Sequence, residues 1–143
     1  MEKILSDLKA MRLPGMAQTW QNLMEAHKIN SISMADGIRM LIQGENDMRM
    51  SNRTHRLIKN AHFRYTVALG EIAADSARGI DQSLLNEVAT CDYIRHGYPI
   101  IITGPTGTGK SWLASALGHH ACLCGYKAVS YTHLRAHETD QYL

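Results

Sequence analysis

Residues Ile101 to Gly118 read IITGPTGTGKSWLASALG, and the reading of this stretch decides the fold. Gly104-Pro105-Thr106-Gly107-Thr108-Gly109-Lys110-Ser111 satisfies the pattern G-x-x-x-x-G-K-[ST] at every specified position. Its flanks supply the context in which the pattern has a mechanism. Pro99 to Thr103 is a short apolar run with β-branched residues, which predicts a buried strand. After the loop, Leu113, Ala116, Leu117 and Ala121 recur at helical spacing. Strand, glycine-rich loop and helix in that order predict the start of an α/β P-loop fold with a parallel sheet.

The chemistry follows from the residue types. Glycines allow backbone conformations and close approach that a Cβ would block, so consecutive N–H groups can point at phosphate oxygens. The positive end of the following helix adds to that field. Lys110 can reach the β and γ phosphates of ATP as a flexible point charge, and is the candidate catalytic cation. The Ser111 hydroxyl is a hard oxygen ligand suited to Mg²⁺ bridging the same phosphates. Gly104, Pro105, Thr106, Gly107, Thr108, Gly109, Lys110, Ser111 and Trp112 are thus the expected nucleotide-contacting run.

Upstream, Asp81 is a candidate N-cap for a helix carrying Leu84, Leu85, Val88, Ala89 and Ile94, closed by Gly97. Glu71 to Gly79, EIAADSARG, reads as a connector of small and polar residues. Between Asp47 and Glu71 no acidic residue occurs, while Arg49, Arg53, Arg56 and Lys59 step by four, three and three onto one helix face, with Arg64 just beyond. Like charges at that spacing repel by a few tenths of a kcal/mol per pair, a cost that a polyanion would relieve. Such a stripe is either a solvated helix face or a contact to a phosphate backbone, and these four residues are the candidates for that contact.

The N-terminal third reads as helices. Ile4, Leu5, Leu8 and Met11 recur at helical spacing, Leu13-Pro14-Gly15 interrupts, and Met16 to Lys28 resumes. Ser33 is a candidate N-cap for a further helix, or two in tandem, through Ile38, Leu41, Ile42 and Met48. Gly37 and Gly44 weaken that expectation by roughly 1 kcal/mol each as interior glycines.

Composition bounds the rest. The 143 residues are 45% hydrophobic and 20% charged, with a net charge of +2, which fits a folded globular chain. An α/β nucleotide-hydrolysing domain with its full sheet usually needs more than this length for itself. No run approaches the ~20 apolar residues of a membrane span, and the N-terminus lacks a signal-peptide pattern, so the expectation is cytoplasmic. Cys91, Cys122 and Cys124 are odd in number and lack paired CxxC spacing, which favours packing roles over a disulfide framework or a zinc site. The same reading applies to His119-His120 with Cys122-x-Cys124, because adjacent helical residues face about 100° apart.

MRLPGMAQTW at Met11–Trp20 and the run GIDQSLLNEVATCDYIRHGYPIIITGPTGTGKSWLASALGHHACLCGYK at Gly79–Lys127 together resemble the IstB and DnaC-like group of AAA+ ATPases. The likeness is nearest to the helper ATPases encoded beside insertion-sequence transposases. It implies an all-helical N-terminal domain for contacts to DNA and a protein partner, here 1–70, followed by the first part of an AAA+ domain, 71–128. It also implies an ATP-bound homo-oligomer on DNA that assists a transposase; helicase loaders are relatives. The pattern departs from the family after Lys127, where an acidic Mg²⁺-binding strand, sensor residues and an arginine finger are expected. VSYTHLRAHET, Val129 to Thr139, is similar to a one-frame translation of a common sequencing-library adapter. Residues 129–143 are therefore expected to be a non-native tail on a truncated chain, which would bind Mg·ATP and hydrolyse it negligibly. Three alternatives stay open: a helicase loader, a P-loop kinase of a small metabolite, and a DNA-binding module whose loop no longer supports hydrolysis.

Overall fold

The computed structural model describes residues 2–75, 77 and 79–131. The described elements are helices α1 (Glu2–Ala10), α2 (Pro14–Glu25), α3 (Met34–Ala61), α4 (Gln82–Ala89), α5 (Asp92–His96) and α6 (Lys110–Leu123), with a 3-10 turn at Leu69–Glu71. The chain divides into two compact units, Met1–Arg53 and Thr54–Leu143, with the division falling inside α3. No helix among the described residues is long and apolar enough to cross a membrane.

In the first unit, the interruption at Leu13-Pro14-Gly15 separates α1 from α2 as the sequence predicts. Pro14 opens α2, where its missing N–H has no cost. Leu13 offers no side-chain cap. The cap comes instead from α3: the buried Glu45 carboxylate accepts hydrogen bonds from the Gly15 N–H (2.8 Å) and the Met16 N–H (3.2 Å). Arg49 pairs with the other carboxylate oxygen at 2.7 Å. The Arg49 hydrogen bond, helped by those two backbone N–H groups, holds the Glu45 carboxyl below its ordinary value against the opposing effect of burial.

This contact explains a glycine inside α3. A Cβ on Gly15 would lie 2.4 Å from the Gly44 carbonyl oxygen and 2.6 Å from the Glu45 Cα, and one on Gly44 would lie 2.0 Å from Thr19 Oγ1. The two helices meet backbone to backbone there, so Gly44 is a contact residue and not a weak point. α3 runs unbroken for 28 residues. Ser33 caps it, its Oγ accepting from the Asp36 N–H at 3.1 Å and donating to Asp36 Oδ2 at 2.6 Å.

The second unit has a small core of Val67, Ile72, Leu85 and Ala116, against which Leu69, Ile80 and Leu113 pack. α6 lies against the 3-10 turn and α4. Phe63 sits so close to Gly118 of α6 that a Cβ there would meet its ring at 2.5 Å. Asp81 caps α4, its Oδ1 accepting from the Leu84 N–H at 2.7 Å. The single helix expected from Asp81 to Gly97 is two, because Cys91 takes a left-handed conformation (φ 58°) that ends α4 and redirects the chain into α5. Cys91 and Cys122 are buried and Cys124 is exposed. Burial, and then a hydrogen bond to Cys124, push the Cys91 thiol up to about 11.

The parallel sheet is where structure and expectation differ. Among the described residues the only β pairing is an isolated antiparallel bridge, Asp75 to Ile80. Pro99 to Thr103 belongs to no regular element, and Ile101 is 81% exposed. A strand is defined by the ladder it makes with a neighbour, and the described residues offer this segment none. The expected non-native tail falls mostly at 132–143, outside the described residues; of its first residues, Ser130 donates its N–H to the Ala61 carbonyl at 2.8 Å.

Candidate phosphate-binding site

The loop owes its shape to glycines in conformations that L side chains rarely adopt. Gly104, Gly107 and Gly109 have φ of 152°, 82° and 86°. Gly109 caps α6 and Lys110 is that helix's first residue, so the loop runs directly into unpaired N–H groups at a helix N-terminus. The Thr108 hydroxyl donates to the Pro105 carbonyl at 2.8 Å and closes the turn. Lys110 folds back across it, its Nζ donating to the Gly104 carbonyl at 2.8 Å and to the Pro105 carbonyl. The ammonium therefore stands over the loop mouth, held by the loop's own oxygens.

A cavity of about 340 Å³ opens beside this loop. Gly104, Pro105, Thr108, Gly109, Lys110 and Trp112 line it, so six of the predicted contact residues come together at one wall. Thr106, Gly107 and Ser111 are exposed outside that lining, with Ser111 on the first turn of α6 directly after Lys110. The facing wall comes from Glu71, Ile72, Ala73 and Ile80, joined by Ile102 and Leu113. This volume is within the ordinary range for small-molecule sites. The loop residues make one part of the lining polar and cationic, and the rest is mostly aliphatic with the Glu71 carboxyl among it, which suits a ligand that has both an anionic and an apolar part.

Sequence reasoning missed the facing wall. Glu71 to Gly79 read as a connector because its residues are small and polar. In the structure the Asp75–Ile80 bridge folds it back, with both reciprocal hydrogen bonds made at 2.6 and 3.0 Å, and presents Ile72 and Ile80 toward the core. The available signal was the pair of isoleucines bracketing Asp75.

The basic residues sit as predicted on one helix. Arg49, Arg53, Arg56 and Lys59 are all exposed on α3, within an arc of about 120° at 100° per residue. Arg49 is also committed to Glu45, so it holds the cap of α2 as well as contributing charge to the stripe.

The profile of the family described as "IstB-like ATP binding protein" matches residues 6–138. The chain belongs to that family. An IstB-like chain is a P-loop protein of the AAA+ NTPase class, the class that the loop and its helix already indicate. It is 36% identical over 126 residues to the "Insertion sequence IS1162 putative ATP-binding protein" of Pseudomonas fluorescens, covering 87% of this chain and 54% of that protein. A Sinorhizobium fredii protein with a corresponding insertion-sequence description is 32% identical over 118 residues, covering 82% of this chain and 48% of its own length. The counterpart of insertion sequence IS21 in Pseudomonas aeruginosa is 26% identical over 129 residues, covering 90% and 48%. The IstB-like chain thus spans about half the length of the curated relatives it matches.

Proposed function

We propose that the chain binds Mg·ATP in the cavity beside Gly104–Ser111, as the nucleotide-holding part of an insertion-sequence helper ATPase that works on DNA with a transposase. The observation that carries this reading is the joining of loop and cavity: three positive-φ glycines, a helix N-terminus and Lys110 on one side, and a mostly aliphatic wall that includes Glu71 on the other. Phosphates lie along the loop N–H groups, Lys110 moves from its carbonyl partners onto the β and γ oxygens, and Ser111 contributes the protein ligand to Mg²⁺. The base rests against Ile72, Ile80 and Leu113. The family and the descriptions of its relatives support ATP as the nucleotide.

The exposed row of Arg53, Arg56 and Lys59, with Arg49, engages the DNA backbone without reading sequence. Nucleotide-dependent homo-oligomerisation on DNA and cytoplasmic location complete the proposal. Titration of a fluorescent ATP analogue tests the core of it. Saturable, Mg²⁺-strengthened binding that falls about tenfold in Lys110→Ala is expected, since the exchange of carbonyl for phosphate acceptors leaves the lysine a net contribution of ~1.5 kcal/mol, the low end for a hydrogen bond to a charged group. Equal affinity of the two proteins would sink the assignment of the loop.

A further inference from the structure

We propose that Cys91, His120 and Cys124 form a zinc-binding site, separate from the phosphate loop. His120 and Cys124 are four residues apart at the C-terminal end of α6, which places both side chains on one face. Cys91 arrives from the junction of α4 and α5. One potential ligand atom from each of the three lies within 4.8 Å of the others. His120 is ten residues along α6 from Lys110, about 15 Å at 1.5 Å per residue, so the cluster and the phosphate loop occupy opposite ends of one helix.

The spacing suits the metal. Zinc–sulfur and zinc–nitrogen bonds of about 2.3 and 2.05 Å at a tetrahedral angle put sulfur and nitrogen about 3.6 Å apart. Cys124 Sγ and His120 Nε2 are 3.6 Å apart. Two sulfurs on the same ion would stand about 3.8 Å apart, so a limit of 4.8 Å leaves at most about 1 Å of closure for Cys91. Two thiolates and an imidazole are a soft donor set that selects zinc over magnesium or calcium. Cys124 is exposed, which gives the ion an entry path and leaves the fourth position to water.

One further feature fits a built site, and one bond must give way to it. Cys91 is a non-glycine residue at φ 58°, a conformation kept only where its surroundings hold it. The His120 ring is held at the α4–α5 junction by a 2.8 Å hydrogen bond from Nε2 to the Ala89 carbonyl, a bond that the metal must displace to use that nitrogen. On metal binding the two thiols release their protons to solvent, the imidazole carries its remaining proton on Nδ1, and the ion replaces the Ala89 hydrogen bond at Nε2. The clip then closes residues 91–124 into one loop that contains the whole phosphate-binding segment.

Cobalt(II) is the probe. Titrated into the reduced, tag-free 143-residue chain, it should give the ligand-field bands of tetrahedral cobalt and a thiolate charge-transfer band, saturate at one equivalent, and be displaced by zinc. Cys124→Ser alters an exposed position and leaves the fold intact by circular dichroism. It should cut the affinity at least about a hundredfold, beyond what loss of an outer-shell partner does, and abolish the charge-transfer intensity of one thiolate. His120→Gln should weaken binding while keeping both thiolate contributions. Absence of a tetrahedral thiolate spectrum in the parent chain, or an unchanged spectrum in Cys124→Ser, would overturn the proposal. So would a Cys91–Cys124 disulfide in chain isolated without air, which would assign the pair to redox chemistry.

Discussion

Three glycine-to-alanine substitutions in the first unit should differ in sign, and the difference can be worked from the structure. Gly37 lies inside α3, and a Cβ there would meet only the Ile32 side chain, Cδ1 at 3.5 Å and Cγ1 at 4.0 Å, both ordinary contacts. Gly37→Ala therefore keeps the full helix-propensity gain of about 1 kcal/mol. Gly44 has the same gain available, but its Cβ would stand 2.0 Å from Thr19 Oγ1 and 3.2 Å from the Gly15 carbonyl oxygen. Turning Thr19 away breaks its 2.9 Å hydrogen bond to that carbonyl, a loss of about 1 kcal/mol, and the residual overpacking costs about 1–3 kcal/mol. Gly44→Ala should thus destabilise by about 1–3 kcal/mol net. Gly15→Ala has no side chain to move aside, since its Cβ meets backbone atoms at 2.4, 2.6 and 2.9 Å. It should reach or exceed ~3 kcal/mol, because the helices must separate and Glu45 loses its seat on the α2 N-terminus. Urea unfolding followed by Trp20 fluorescence in a Trp112→Phe background reports this unit. With a slope of about 1–2 kcal/mol per molar, each kcal/mol moves the midpoint by roughly 0.5–1 M. A midpoint for Gly15→Ala at or above that of the parent would refute the close approach of α2 and α3, and a lowered midpoint for Gly37→Ala would refute the propensity argument.

In the loop, a Cβ on Gly107 meets nothing within 4 Å, so Gly107→Ala carries only the cost of φ 82°, about 1–2 kcal/mol. Calorimetric titration with ATP should show roughly a tenfold loss of affinity with the fold unchanged, and full affinity would mean that the loop does not need that conformation. Glu45 and Asp81 both have carboxyl values held below the ordinary range, Glu45 chiefly by Arg49 and Asp81 chiefly by the Leu84 N–H. Depressed folded-state values stabilise above the unfolded value of about 4, and that contribution is lost as pH falls through the lowered folded values. Thermal midpoints should fall as pH drops below about 4, and Glu45→Gln should flatten the fall; a parallel curve would remove Glu45 from the account. For DNA, replacing both Arg56 and Lys59 by Gln should reduce the slope of log K against log salt by about 1.8 at 0.9 per phosphate contact, and an unchanged slope would place the interface elsewhere.

What was legible in the sequence was local. The phosphate loop, the Leu13-Pro14-Gly15 break, the Ser33 cap and the Asp81 cap each depend on residues within a few positions of one another, and each appears in the structure where its residues stand. The features that escaped depend on distant neighbours. Nothing near Pro14 announces that Glu45, thirty residues later, caps α2. The apolar spacing of Leu84, Leu85, Val88 and Ile94 continues through Cys91, so periodicity could not reveal the left-handed residue that splits the helix. Gly44 reads as a defect until the opposing Gly15 is known. Pro99 to Thr103 has the composition of a strand, but composition does not supply the neighbouring strand that makes it one. Of the cavity lining, the six loop residues stand out in the sequence and the Glu71–Ile80 part does not, because apolar burial there arises from a fold-back bridge and not from a run of apolar residues.

On the proposed reading, Lys110 shows how far the loop is arranged before a phosphate binds. Its ammonium is bound to the carbonyls of Gly104 and Pro105, six and five residues earlier. The same bonds set the helical residue over the glycine turn, so charge and backbone are aligned together. Phosphate binding on the proposed reading exchanges these neutral acceptors for anionic ones. The ammonium is ionised in both arrangements, so the lysine contributes the difference between an anionic and a neutral acceptor and not the total. The remainder of the affinity must come from N–H groups that point inward only while Gly104, Gly107 and Gly109 keep positive φ. That division explains why a single glycine in this loop should matter to nucleotide affinity on nearly the same scale as the lysine itself.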